Sequence, residues 1–303
     1  MSVADLLRAH GLRPKKGFGQ NFLMNTHAAE VIAEAATTPA GGTVLEIGPG
    51  LGALTRPLLT RAAHVIAIER DRDLVPLLRT ELEVSLASGR LELIEGDATQ
   101  FDWTALLARG RPPRVVAGNL PYSITGLLVE RVIRMADDIE HAVFMVQSEV
   151  ADRLASPAGG PAYGALSVFV QAAFDVRRLL TVRAGAFYPR PEINSAVVVL
   201  TSLRPRRAEE TVAFRQAVKA AFATRRKTLR NTWRGLYGWS KEELEERAAE
   251  AGISLDARGE ALCVEDFARI AASGRFIEKS RAQESQPGTP EPLKNEDPSE
   301  GAR

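Results

Sequence analysis

The stretch VLEIGPGLGALT, residues 44–55, decides how the chain is read. It begins as an apolar run that predicts a strand and ends as the start of a helix, with glycines at 48, 50 and 52 between them. Glycine permits a sharp turn and lets the backbone approach a ligand closely. A strand that feeds a helix through such a turn is the usual entrance to a nucleotide-binding α/β unit. Dinucleotide sites space these glycines G-x-G-x-x-G, the third allowing close helix packing. Here the spacing is G-x-G-x-G, with Leu54 beyond it and Glu46 just before it.

Outward from this turn, residues 43–200 alternate short β-rich runs with helical stretches. TVLEIG, HVIAIERD, LELIEGDA, RVVAGNLPY, HAVFMVQ and NSAVVVLTSL read as strands; ALTRPLLTRA, LVPLLRTELEVSLA and DWTALLARG read as helices. Unbroken apolar strands separated by helices predict a parallel sheet covered on both faces. LSVFVQAAFDVRRLLTV is helical in its first part and strand-like in its second. After about residue 204 the strand signals stop. VAFRQAVKAAFATRRKTLRNTWRGL reads as one or two amphipathic helices. KEELEERAAEAG and VEDFARIAASGRF read as two more, closed by Gly252 and Gly274. RAQESQPGTPEPLKNEDPSEGAR is rich in Pro, Glu and Ser and is expected to be disordered. The fold class expected is α/β: a Rossmann-like sheet with helices on both faces, plus a small all-helical C-terminal domain. The expected boundaries are 1–203, 204–277 and a tail at 278–303.

Bulk composition narrows the function. The chain has 303 residues, 45% hydrophobic and 25% charged, which suits a water-soluble globular protein of one or two domains. No apolar run approaches the ~20 residues of a membrane span, and MSVADLLRAHGLRPKKGFGQNFL lacks the apolar block of a secretory signal. A single cysteine, Cys263, fits a reducing cytoplasm. That cysteine and four scattered histidines make no zinc spacing, so no metal is expected. Net charge is +1, yet ten Arg and Lys from Arg204 to Arg234 face only Glu209 and Glu210 in the same stretch. A basic face on a near-neutral protein is what a phosphate-backbone binder needs.

The candidate site residues sit at predicted strand ends. Glu69 ends the second strand, about 20 residues after the glycine turn, where a carboxylate can accept from both ribose hydroxyls. Asp97 follows the third strand and can accept from an adenine amine. With these acids, the G-x-G-x-G turn resembles the S-adenosylmethionine (SAM) methyltransferase motif, in which the loop faces the amino-acid part of the nucleoside. NLPY (119–122) follows the fourth strand and resembles the [N/D]-P-P-[Y/F/W] motif of amino-methyltransferases. An exocyclic adenine amine is a poor nucleophile because its lone pair is delocalised into the ring. Two acceptors, the Asn119 side-chain oxygen and the Leu120 carbonyl, can turn that lone pair toward a methyl donor. Pro121 stiffens the loop and brings no competing N–H. Tyr122 offers a stacking face. Phe187, in AFYPRPEINSAVV, could stack on the other face of a base that has left its helix.

KKGFGQNFL (15–23), LEIGPGLGALT, IERD, GDA, GNLPY, FYPRPEINSAV and FATRRKTLRN (222–231), the last read as helical, occur in the order found in ribosomal RNA adenine N6,N6-dimethyltransferases. The chain resembles the bacterial small-subunit members of that family over about residues 10–275. The resemblance implies SAM contacts by Asn21, Leu23, Gly48, Glu69, Asp97 and Asn119. It implies two methyl transfers to each of two adjacent adenosines near the 3′ end of 16S rRNA, in an assembling 30S subunit. It assigns the basic region, including Arg225, Arg226, Lys227 and Arg230, to RNA backbone. A monomeric protein with no membrane partner is expected. Two other readings stand beside it: a 23S rRNA methyltransferase of the macrolide-resistance type, and an assembly factor that acts mainly by binding. The acidic tail and Glu192, where the family often has a basic residue, depart from the pattern.

Overall fold

Both sides of the central sheet are covered, and this dictates which residues its strands can use. The computed structural model describes residues 2–284. Among them are strands β1 (Phe22–Leu23), β2 (Thr43–Ile47), β3 (His64–Glu69), β4 (Leu91–Glu95), β5 (Arg114–Asn119), β6 (His141–Gln147), β7 (Phe174–Val182), β8 (Phe187–Tyr188) and β9 (Ser195–Ser202). Seven form one sheet in the order β4-β3-β2-β5-β6-β9-β7; β1 and β8 pair antiparallel in a separate ribbon.

Side chains alternate between two apolar layers, as the pleat demands. Leu45, Ile47, Ile66 and Ile68 face one layer, against helices Trp103–Leu107, Thr125–Arg134, Ser148–Ala155 and Ala165–Ala173. Val44, Val65 and Ala67 face the other, against helices Thr26–Ala36, Thr55–Arg61 and Val75–Glu81. The inner strands β3, β5 and β6 have unbroken apolar interiors because each layer needs its own share, whereas β7, at the sheet edge, carries exposed charged residues. No helix among the described residues is long and apolar enough to cross a membrane.

The parallel expectation holds for all but one strand. β2 runs parallel to β3 and β5, β3 to β4, and β5 to β6. β9 lies antiparallel between β6 and β7, so β7 points the same way as the first five. A parallel return needs a crossover of about a dozen residues or more, usually helical. The connection from β7 to β9 holds only a 3-10 turn and β8, so the chain doubles back beside β7. Helix Ala165–Ala173 passes directly into β7, as the sequence of that segment predicts.

The C-terminal helices Val212–Phe222, Leu229–Thr232, Lys241–Glu250 and Val264–Glu284 enclose Phe214, Trp233, Leu244, Phe267 and Ile270. This core also takes Tyr163, Val168 and Ala172 from the first part of the chain. The Trp233 indole N–H donates to the Ala217 carbonyl at 2.9 Å, and the Tyr163 hydroxyl donates to the Leu262 carbonyl at 3.0 Å. Gly252 stops its helix as expected, with φ +68° and the Ile253 N–H returning to Ala248.

Two local expectations are overturned. Gly274 does not end a helix; the helix runs through it to Glu284. A Cβ at 274 would lie 2.5 Å from the Tyr237 ring, so this glycine makes room for a neighbour. The FATRRKTLRN segment is not one helix. Helix Val212–Phe222 ends, residues 223–228 turn, and a short helix begins at Leu229. The N–H groups of Leu229 and Arg230 donate to the carbonyls of Ala257 and Leu255, each at 2.8 Å, and so are not available to a continuing helix. Residues 278–284 of the expected tail belong to the last helix; 285–303 lie outside the described residues.

Replacing Trp233 by Ala should cost about 3–5 kcal/mol of stability, read as a lower urea midpoint. Trp233→Phe, which keeps a ring and loses only the N–H bond to Ala217, should cost clearly less.

Candidate active site

Four neighbouring strands end at one cavity. The turn after β2 supplies Gly48 and Gly50, β3 ends in Glu69, β4 leads into Gly96 and Asp97, and β5 ends in Asn119 before Leu120–Tyr122. Residues 17–23 complete the wall. In open α/β sheets ligands sit at these carboxyl ends. Gly48 has φ +68°, and a Cβ built there meets nothing within 4 Å, so a side chain would stand in the cavity. Gly50 has φ +60°, and a Cβ there would lie 3.2 Å from the Phe22 ring.

Three acids face this space in different conditions. Glu69 is 5% exposed; its Oε2 accepts from Gly50 N at 2.9 Å and its Oε1 from Asp71 N at 2.7 Å. Burial pushes its pKa up while these N–H groups pull it down, and burial prevails. Each oxygen keeps a lone pair for a further donor. Asp97 accepts from Thr99 N at 2.9 Å and Thr99 Oγ1 at 2.8 Å through Oδ1, and its Oδ2 lies 3.5 Å from Arg70 Nε. Burial opposes its ionisation, but the Thr99 bonds and the guanidinium outweigh it and hold the pKa below the usual value. Glu46, on β2, is 1% exposed, and its Oε2 has no hydrogen-bond partner among the described residues. Burial pushes its pKa to about 8, and the Glu69 charge adds to the rise.

The NLPY segment is held from several sides. Asn119 Nδ2 donates to the Asn21 carbonyl at 3.0 Å, which turns Oδ1 away from that bond and leaves it for an incoming donor. Leu120 is buried, and its N–H donates to the Met145 carbonyl on β6 at 3.0 Å. The Pro121 carbonyl accepts from Ile124 N at 3.2 Å and Thr125 Oγ1 at 3.0 Å. The half-buried Tyr122 ring is fixed by its hydroxyl, 2.7 Å from Ser195 Oγ. Burial raises its pKa, against that hydrogen bond.

Asn21, Leu23, Gly48, Glu69, Asp97 and Asn119–Tyr122 therefore share one cavity wall. Phe187 does not join them. It is 2% exposed, pairs with Leu23 across β1 and β8, and packs in the second apolar layer. The alternation of β8 turns Phe187 inward and leaves Tyr188 exposed.

The basic stretch divides in two. Arg204 pairs with Glu140, Arg206 with Asp137, Arg207 with Asp175, and Arg215 with Glu130 and Glu210. Arg225 donates to the Pro161 carbonyl, and Arg230 binds Glu245 and Asp256. Lys219, Arg226, Lys227 and Arg234 are exposed and have no ion-pair partner among the described residues.

The family model described as "Ribosomal RNA adenine dimethylase" matches residues 11–274, which includes the whole cavity wall. The chain belongs to the ribosomal RNA adenine dimethylase family. Among family relatives, the "Ribosomal RNA small subunit methyltransferase A" of Syntrophotalea carbinolica is 44% identical over 86% of this chain and 96% of its own length. The protein of the same name from Magnetococcus marinus is 44% identical over 88% and 94%. A dimethyladenosine transferase from Plasmodium falciparum shares the fold, with TM-score 0.72 and 23% identity over 85% of this chain and 98% of that one. The 23S rRNA methyltransferase ErmE gives TM-score 0.64 and 25% identity over 83% and 98%.

Sequence reasoning about this dimethylase missed two features. Glu46 was legible as an acid inside a strand buried on both faces, a position where a charge needs a reason. Asp71 carried no comparable signal, because its partners Lys15 and Gln20 lie more than fifty positions away.

Glu46 gives the ligand-free protein a pH dependence. Its pKa rises from an ordinary 4.5 to about 8 in the fold. Between these values the folded state keeps a proton that the unfolded chain has lost, so stability falls as pH rises and levels off above about 8. The stability advantage of Glu46→Gln over the parent should therefore grow from pH 5 to pH 8, measured by chemical denaturation across that range.

Proposed function

We propose that this chain transfers methyl groups from SAM to N6 of two adjacent adenosines near the 3′ end of 16S rRNA, leaving each dimethylated. The observation that carries the reading is the orientation of Asn119, whose amide nitrogen is engaged by Asn21 while its oxygen stays open beside the acid-lined cavity.

The cavity suits the cofactor by its own chemistry. The unpartnered, buried Glu46 Oε2 matches an ammonium group. Glu69 has lone pairs left for two ribose hydroxyls, Asp97 is an acceptor for an adenine amine, and Gly48 leaves the wall open. When bound, SAM supplies a sulfonium-activated methyl group. The protein's own work is positioning. Asn119 Oδ1 and the Leu120 carbonyl accept the two hydrogens of the target amine, so its lone pair points out of the ring plane toward the methyl group. Tyr122, anchored through Ser195, provides the face on which the base rests. Holding nucleophile and donor together supplies most of the rate gain.

The substrate on this reading is rRNA within an assembling small subunit, and the protein works as a monomer in the cytoplasm. Relatives named for the small subunit match at 44% identity against 25% for the 23S enzyme, which favours the small-subunit target. Arg226 and Lys227, exposed in the turn before Leu229, grip phosphates. Phosphate contacts fix register without reading sequence.

Asn119→Ala should lower methyl transfer at least about a hundredfold with cofactor affinity largely kept. Mass spectrometry of 16S rRNA from unmethylated small subunits incubated with the variant measures the first quantity and calorimetry the second; near-parental transfer would refute the reading. Arg226→Ala combined with Lys227→Ala should flatten the slope of log affinity against log salt by about 1.5. Arg230→Ala, whose side chain is occupied by Glu245 and Asp256, should leave that slope unchanged.

A further inference from the structure

One buried carboxylate ties the N-terminal segment to both halves of the cavity. The Asp71 side chain is 2% exposed. Its Oδ1 accepts from Lys15 Nζ at 2.5 Å and its Oδ2 from Gln20 Nε2 at 2.7 Å. Lys15 Nζ also reaches Asp73 Oδ2 at 2.6 Å, and Lys15 N donates to Gln20 Oε1 at 2.7 Å. Lys15 and Gln20 thus clasp each other and one acid. The Asp71 N–H donates to Glu69, on the ribose side of the cavity. The residue after Gln20 is Asn21, whose carbonyl holds the Asn119 amide. A Cβ built at Gly19 would come within 3.8 Å of Pro121 Cβ, so the backbone there runs close to the same loop.

We propose that Lys15, acting through Asp71 and Gln20, is a positioning residue that fixes the Asn21 carbonyl and so sets which way the Asn119 amide faces. The inference rests on the reading of Asn119 as the amine acceptor. A primary amide is nearly symmetric in shape, and rotation by half a turn exchanges its oxygen for a nitrogen. With nitrogen inward, Asn119 would present two donors to an amine that needs an acceptor. The Asn21 carbonyl selects the productive orientation because it can pair only with the nitrogen. That selection works only while segment 15–23 stays seated, and Lys15 and Gln20 are the side chains that bind it to Asp71. Its effect therefore falls on the transfer step and not only on cofactor retention.

The test uses the full chain with Lys15→Met, Lys15→Arg and Asn119→Ala. Single-turnover transfer to unmethylated small subunits is measured at saturating SAM. The Asn119 side-chain amide resonance is followed by NMR in the ligand-free protein, assigned by its loss in Asn119→Ala. Lys15→Met should slow saturated transfer about tenfold and shift or broaden the Asn119 resonance, and Lys15→Arg should restore both. A raised SAM Kd with saturated transfer and resonance unchanged would make the segment a cofactor cover only and overturn the proposal. So would a Lys15→Met protein indistinguishable from the parent. If Asn119→Ala is inactive while Lys15→Met is unaffected, this inference alone falls. If Asn119→Ala still transfers, the acceptor reading falls and takes this inference with it.

Discussion

A sheet buried on both faces can present polar groups to a ligand only where its strands run out. That constraint places nearly every group in the cavity. Glu69 and Asn119 are terminal residues of their strands, and Gly48 and Asp97 lie just past theirs. Glu46 is the exception, one residue inside β2, and burial there pushes its pKa to about 8. Because the four strands are neighbours in the sheet, their ends converge without any long loop having to reach across.

The three cavity acids show how one fold keeps similar side chains in different states. Asp97 has Thr99 and Arg70 to stabilise its charge. Glu69 has two backbone N–H groups but deep burial. Glu46 has burial and, on one oxygen, no partner among the described residues. Buried polar atoms are normally satisfied. Glu46 Oε2 is therefore the cavity atom best suited to a ligand that brings a donor.

Much of this was legible because it is local. The strand–turn–helix pattern around Gly48 and the NLPY segment each carry their meaning within a few residues, and the acid at position 69 carries its own through a short spacing from that turn. The misreadings have a common origin in partners that are distant along the chain. Gly274 reads as a helix stop until Tyr237 is seen against it. FATRRKTLRN reads as a helix until the carbonyls of Leu255 and Ala257 take its N–H groups. The arginines from 204 to 215 read as one basic face, yet Asp137, Glu140, Asp175 and Glu130 answer them from elsewhere. Phe187 sits one residue from the exposed Tyr188, and only strand pairing decides which ring faces in.

Those arginine pairs carry a further consequence. Arg215 joins helix Val212–Phe222 to Glu130 on helix Thr125–Arg134, which starts three residues beyond Tyr122. Phe169 packs against both cores, with its ring near Phe214 and under the Arg215 guanidinium. The 223–228 turn and NLPY thus border two helices that are joined by an ion pair, with the Phe169–Phe214 contact beside it. On the proposed function, while those contacts hold, reaching the second of two adjacent adenosines requires the RNA to slip by a nucleotide or to let go and be reseated.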